Sequence, residues 1–329
     1  MIEQVRKSNL VNGTLIKYQR FIFPLIKIII ASGLLYYLIT WINYDEIIEA
    51  FSNANIYLIS LVVILGLLNI YLQYLKWKIT TLVILNNSDD KKVIYSLFQG
   101  FSAAVFTPAR IGEYFGRALV FSDKSFLRVT LATLLDKFFP LLMVSFFGSL
   151  SSILFVHYFY GVSIYITISL FIVLLVLFYL IILLIFDQGF WDNFLFNKLK
   201  GSKRFSNYFD KFLLLRTLDR NYSAKMIFLS FLFYTCYIIQ FAILAAAFSH
   251  NNYILNYIWS GNLVMFSKTI IPPISFGELG IREGASVFFI QQFGESASVG
   301  FNASIFLFFI NVLIPSLIGL LFIFKKNND

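Results

Sequence analysis

Six stretches of this 329-residue chain are continuously apolar over lengths that suit a membrane crossing: about 21–43, 56–80, 128–156, 162–186, 226–249 and 298–324. An apolar run of about 18 residues or more reads as a spanning helix, since roughly 20 residues at about 1.5 Å each traverse the hydrocarbon core. The runs are unbroken rather than alternating, which excludes a β-barrel. Composition agrees, with 59% apolar and 13% charged residues, against about a quarter charged in an ordinary soluble domain. The chain reads as an all-α polytopic integral membrane protein.

Two further apolar stretches, 92–121 and 253–293, do not read as clean spans. Each is broken by proline, at Pro108 and at Pro272-Pro273, and each break is followed by the same charged phrase. Gly112-Glu113-x-x-x-Arg117 recurs as Gly277-Glu278-x-x-x-Arg282, 165 residues later. Proline removes a backbone donor and ends a helix, and glycine permits the turn. Both stretches therefore read as two half-helices meeting at a break, marked by Pro108 and Gly112 in the first and by Pro272, Pro273, Gly277 and Gly280 in the second. Broken backbone at membrane depth is tolerated where it is buried in protein or lines a watery cavity. Paired breaks in two halves of a chain point to the binding site of a transporter.

Counting positive charges in the connections orients the spans. The N-terminus carries Arg6, Lys7, Lys17 and Arg20; the connection 76–92 carries Lys76, Lys78, Lys91 and Lys92; loop 122–128 carries Lys124 and Arg128; 187–225 carries eight Lys or Arg; the C-terminus carries Lys325 and Lys326. Loops 44–55, 157–161, 250–252 and 294–297 carry none. One arrangement satisfies every connection: six full spans, both termini cytoplasmic, and two re-entrant hairpins entering from opposite faces. Repeat A (56–156) and repeat B (226–329) then have inverted topology within a single transmembrane domain, 1–329. Residues 1–55 form the basic N-terminus and a leader span, and 157–225 form a linking span and a basic cytoplasmic segment. The apolar run after residue 20 is too long for a signal-peptide core and reads as a retained anchor. The localisation expected is a bacterial inner membrane.

The residues that could carry chemistry gather at the breaks. Glu113 and Arg117 are four apart and share a helical face, with Arg110 beside them. The second break offers Glu278, Arg282 and Glu283, with Lys268 near the end of the incoming half-helix. Asp136 and Lys137 lie within the span 128–156. Neighbours on a helix point about 100° apart, so the pair is not expected to serve one face. Five cations against four carboxylates suit a zwitterionic or anionic head group. An intramembrane charge is costly and is by default a functional hypothesis, yet the Glu–Arg pairs could instead lock the hairpins. Asn69, Gln73, Gln240 and Asn311 read as helix–helix glue. His157 and His250 read as ordinary loop residues. One cysteine, Cys236, allows no intrachain disulfide, and no Cys/His cluster is present, so neither metal nor cofactor is expected. The basic charge follows from topology rather than from nucleic-acid binding. Segment 187–225 mixes Phe205, Tyr208, Phe209 and Phe212 with Lys203, Arg204 and Lys211, and it reads as a solvated linker or an interfacial helix on anionic lipid.

The phrases Thr107-Pro108-Ala109-Arg110-Ile111-Gly112-Glu113-x-x-x-Arg117 and Pro272-Pro273-x-x-x-Gly277-Glu278-Leu279-Gly280-Ile281-Arg282-Glu283-Gly284-Ala285 resemble the lysylphosphatidylglycerol synthase/flippase-like transmembrane family over nearly the whole chain. Asp136-Lys137 falls where that family often has an acidic–basic pair. Phe276-Gly277-Glu278 departs from the family's Gly-rich run and puts a bulky ring beside the break. The resemblance implies lipid work: a membrane module moving a phospholipid or polyprenyl-linked lipid between leaflets. The family's aminoacyl-transfer domain is not in this sequence, so a synthase role is not expected. No P-loop phrase is present. The alternatives are an intramembrane transferase acting on a lipid-linked donor, with Glu113, Glu278 or Asp136 as base, and a non-transporting subunit of a cell-envelope complex. A homo-oligomer is compatible with either.

Overall fold

A computed structural model describes residues 32–33, 36–37, 39–40, 44–105, 107, 110–186, 219–249, 251–271 and 279–326. Eleven helices follow one another among the described residues: α1 (Tyr44–Ser52), α2 (Ile56–Leu85), α3 (Asp90–Val105), α4 (Gly112–Val120), α5 (Phe126–Tyr160), α6 (Ile164–Phe186), α7 (Arg220–Phe248), α8 (Ile254–Ile270), α9 (Ile281–Gln292), α10 (Ala297–Phe308) and α11 (Ile314–Lys326). A π-helical turn, Phe309–Leu313, joins α10 to α11. Pro315 in the first turn of α11 cannot donate to a carbonyl four residues back, and the widened turn absorbs that loss. Five helical segments are long and apolar enough to cross a membrane: α2, α5, α6, α7 and the continuous Ala297–Phe322. The molecule is an integral membrane protein. The expected leader span at 21–43 falls mainly outside the described residues, as do Pro108, Pro272, Pro273, Gly277, Glu278, His250 and residues 187–218 of the basic segment.

Helix ends explain where the spans run longer than the sequence reading. Asn55 caps α2 by accepting from Tyr57 and Leu58, and α2 ends only at Asn86, in the left-handed conformation with φ 51°. That carries α2 five residues past the expected 80, so Lys76, counted with the connection 76–92, lies well inside the helix. Ser125 caps α5, which ends at Gly161 with φ 65°; His157 thus lies in the last turn of a helix rather than in a loop. Its Nδ1 lies 2.8 Å from the Val162 carbonyl and 3.1 Å from the Thr167 hydroxyl, so it ties α5 to the start of α6. Asp219 caps α7, starting it six residues earlier than expected. The stretch 44–55, read as a loop, contains α1, which packs on α10 through Asn302 Nδ2 donating to the Ile47 carbonyl and Phe51 against Phe306.

The two broken stretches are antiparallel helical hairpins. At 16 and 9 residues, α3 and α4 are about 24 and 14 Å long, too short to cross alone. Gly112 and Gly116 make the close approach possible: a Cβ at Gly112 would strike the Ala103 carbonyl, and one at Gly116 would lie 2.5 Å from the Gln99 carbonyl oxygen. Thr107 closes the tip, donating to the Ala103 carbonyl at 3.0 Å and accepting from the Gly112 amide at 2.6 Å. In the second hairpin, Trp259 near the start of α8 packs on Phe293 just after α9, and the Tyr257 hydroxyl donates to Glu295 at 2.7 Å.

The packing is reciprocal. α3 leans on α11, where Ser102 donates to the Ser316 carbonyl and Ser316 donates to the Phe101 carbonyl. α8 leans on α5, where Trp259 donates to the Ser151 carbonyl and Phe266 covers Gly148. Each hairpin thus rests on the last helix of the other half. α2 and α7 cross at the centre, joined by Asn69 donating to Gln240 at 3.4 Å and Gln240 donating to the Val62 carbonyl at 3.2 Å.

Candidate functional site

The first hairpin tip builds a buried charge cluster. α4 begins at Gly112, so Glu113 and Arg117 lie one turn apart on one helix and meet at 2.8 Å. Gly100 on α3 leaves the room they occupy, since a Cβ there would lie 2.9 Å from Arg117 Cγ and 3.1 Å from Glu113 Cγ. Arg117 also donates to Asp136 of α5 at 2.9 Å and stacks on Trp77 of α2 at 4.0 Å. Trp77 is itself fixed by donating to Ser96 at 2.7 Å. The planar guanidinium suits this sandwich between an aromatic face and two carboxylates.

Three more cations converge on the same carboxylates. Lys137 Nζ lies 2.6 Å from Glu113, Arg110 lies 3.7 Å from Glu113, and Lys76 lies 3.7 Å from Asp136. Asp136 and Lys137 join the same cluster although neighbours on a helix point apart. Lysine's four-carbon stem spans the angle between neighbouring positions, and α4 lies against α5 so that Glu113 and Arg117 reach both. Arg110 holds a positive φ of 57° immediately before the helix. For a residue with a Cβ that conformation costs on the order of 1 kcal/mol and occurs where structure over-determines it.

Lys76 was assigned to a basic connection, and its place in the cluster was missed. A signal was available: Asn69, Gln73 and Lys76 recur at intervals of four and three residues, the spacing of one helical face. Lys76 is 3% exposed.

The cluster forms one wall of a cavity of about 1100 Å³. Lys76, Arg110, Glu113, Arg117, Asp136 and Lys137 all line it, and Lys268 at the end of α8 joins them, 5.2 Å above the Tyr237 ring. The remaining walls are largely apolar, from α5 and α6. Leu134 and Leu141 of α5 belong to that apolar wall, each 48% exposed. The cavity occupies the end of the molecule where α2 and α6 finish and α5 and α7 begin, next to the basic connections. The opposite end is closed by Phe155, Phe159, Trp259, Phe289 and Phe293 in mutual contact. Glu295 tightens that closure by accepting from Ser249, Asn251 and Tyr257.

The second tip is built differently. α9 begins at Ile281, after Gly280 turns the chain with φ 92°. Arg282 therefore lies in the first turn of its half-helix, whereas Arg117 lies in the last turn of α4. Glu283, third in the helix, caps it by accepting from the Gly280 amide at 2.7 Å and pairs with its neighbour Arg282. Arg282 also donates to Ser304 at 3.0 Å and lies 5.1 Å over Phe308. Both charged residues are 0% exposed, and neither belongs to the cavity wall. Glu278 lies outside the described residues. The structure thus brings Arg110, Glu113, Arg117, Asp136, Lys137 and Lys268 to one cavity and keeps Arg282 and Glu283 apart from it.

A family model described as the lysylphosphatidylglycerol synthase TM region matches residues 25–319 of the chain. No individual curated protein matches it.

Proposed function

The chain belongs to the lysylphosphatidylglycerol synthase transmembrane-region family, and from that premise we propose that it moves a phospholipid or lipid-linked head group between membrane leaflets. The observation that carries this reading is the cavity itself. One wall presents four cations on two carboxylates, while the remaining walls are largely apolar. An anionic head group can lodge against the cationic wall while its acyl chains stay in the bilayer beside Leu134 and Leu141. Arg117 is committed to Glu113 and Asp136, so it organises the wall. Lys76, Arg110 and Lys137 supply the positive charge left over for a phosphate.

In this reading the hairpins are re-entrant, the two repeats have inverted topology, and the basic ends of the spans face the cytoplasm. The cavity is then open toward the cytoplasmic half of the membrane, and the aromatic cluster with Glu295 is the outer gate. Access to the other leaflet requires that gate to part.

Reconstituted protein tests the proposal with a fluorescent phospholipid and an uncharged lipid of the same chains. The phospholipid should cross and the neutral lipid should not. Lys137→Gln leaves three cations on two carboxylates, so no carboxylate is orphaned. It should slow crossing about tenfold, the worth of one charge-assisted hydrogen bond at roughly 1.4 kcal/mol. Equal crossing of both lipids, unaffected by Lys137→Gln, would contradict the proposal.

A further inference from the structure

The span Ala297–Phe322 is one helix by length and two by packing. Before the π-helical turn, α10 packs on α7, α9 and α1; after it, α11 packs chiefly on α3. Backbone meets backbone at that second contact. A Cβ at Gly319 would strike the Phe98 carbonyl, Ser102 and Ser316 each donate to a carbonyl across the interface, and Tyr95 and Phe98 both set their rings on Phe322. Gly112 and Gly116 bring α4 as close to α3 on its other side. Surfaces in such contact cannot slide without collision, so α3, α4 and α11 hold together as one body. At the π-helical turn the helical ladder is weaker. Pro315 has no amide to give, and side chains serve the carbonyls there: Ser316 donates to Val312 at 2.6 Å and Asn311 donates to Leu307 at 3.2 Å. Kinks and functional hinges recur at π-turns of this kind.

We infer that α3, α4 and α11 form one arm that swings against the crossed pair α2 and α7, with the π-helical turn as its joint. Asn311 and Val312 of the joint line the cavity, and so do Glu113 and Arg117 on the arm. A swing of the arm therefore changes the width of the cavity. Two ion pairs tie the arm to α5, Arg117 to Asp136 at 2.9 Å and Glu113 to Lys137 at 2.6 Å, and the stack of Arg117 on Trp77 adds to them. These contacts are the catch that holds the arm in. At its base the arm is fastened to α2, where Trp77 donates to Ser96 and Lys78 pairs with Asp90 at 2.7 Å. The base therefore pivots and the tip travels. Hinge motions of this kind absorb their bending at a few residues between packed bodies. The arm goes beyond the proposed function and does not depend on what the cavity carries.

Pulsed dipolar distances between nitroxide labels on the full chain in lipid nanodiscs, in a Cys236→Ala background, read the arm directly. Leu119 of α4 and Leu317 of α11 are exposed and report inside the arm; Leu317 and the exposed Phe228 of α7 report across its boundary. The inside pair should give one narrow distance and the boundary pair two. Lys137→Gln removes one ion pair of the catch and should raise the ratio of the second boundary distance to the first about tenfold, the worth of one charge-assisted hydrogen bond. Pro315→Ala restores an amide to the joint and leaves the catch intact, and it should lower that ratio. A single boundary distance, the same in all three proteins, would overturn the inference. So would an inside distance that splits in step with the boundary one. Lipid crossing is measured separately in vesicles. A swinging arm without crossing would refute transport and leave the arm standing, whereas crossing with a rigid arm would refute the arm alone.

Discussion

The two hairpin tips share a phrase and differ in what they make of it. At the first, α4 starts one residue before Glu113, so Glu113 and Arg117 sit on one face and their spare valences turn toward Asp136, Lys137, Lys76 and Arg110. At the second, the helix starts one residue before Arg282, which pairs with Glu283, donates to Ser304 and lies over Phe308. The first tip borders a cavity, whereas Arg282 and Glu283 are fully buried away from it. The partners on the next helix show why. Asp136 stands nineteen residues after Arg117 and Ser304 twenty-two after Arg282, each facing its arginine from the following span. The carboxylate in the first place pairs with Lys76 as well as with Arg117, whereas the second place holds an uncharged hydroxyl. Where a helix begins, and one residue on its neighbour, separate a charge cluster on a cavity wall from a fully buried pair.

The sharpest way to break this contrast is to remove the second arginine. Arg282→Met leaves Glu283 charged in a place with no solvent, and losing one partner of a buried ion pair costs about 3–5 kcal/mol. The protein should lose most of its thermal stability in detergent. Adding Glu283→Leu should return much of the loss, since replacing both partners by apolar groups removes the orphaned charge. An Arg282→Met variant of normal stability would mean that the second tip is no lock.

Exchanging the pair at the first tip gives the next effect. Glu113→Arg with Arg117→Glu keeps the pair but sets a carboxylate against Asp136, now 2.9 Å from the Arg117 guanidinium, and removes the guanidinium from Trp77. The double variant should stay inactive in lipid crossing and be destabilised by about 2 kcal/mol or more. Recovery of both stability and crossing would show that Asp136 and Trp77 do not depend on Arg117.

Glycines sharpen the contrast further. Gly116→Ala should cost about 1–3 kcal/mol, because its Cβ meets the α3 backbone and packed helices must move apart. Gly284→Ala in α9 meets nothing within 4 Å and should gain about 0.5–1 kcal/mol from helix propensity. Paired denaturation curves check both signs. Equal effects would remove the claim that the first hairpin is the tighter of the two.

Much of this was legible from the chain. Long apolar runs located the five spans among the described residues, prolines located the hairpin breaks, and four-residue spacing paired Glu113 with Arg117. What was not legible depended on tertiary placement. Lys76 reads as a connection charge because it stands beside Lys78 where the expected span 56–80 and the connection 76–92 overlap, whereas the helix runs unbroken to Leu85 and ends at Asn86. Asp136 and Lys137 looked divergent because the angle between neighbours says nothing of how far a lysine reaches. The repeated phrase suggested two equal sites because a motif does not record where its helix starts. Gly280, only two residues after Glu278, was the local sign that the second copy turns before it winds.

The central claim is that phospholipid occupies the cavity at the first tip through its cations. A photo-crosslinking residue at Leu141, one turn from Lys137 on α5 and open to the surface, tests it in membranes carrying radiolabelled phosphate. The account predicts lipid capture at Leu141 that falls at least about fivefold when Lys76→Gln and Lys137→Gln are combined. Capture at the exposed Phe288 of the second hairpin should be unchanged. Capture at Leu141 that persists undiminished in the double variant would contradict it.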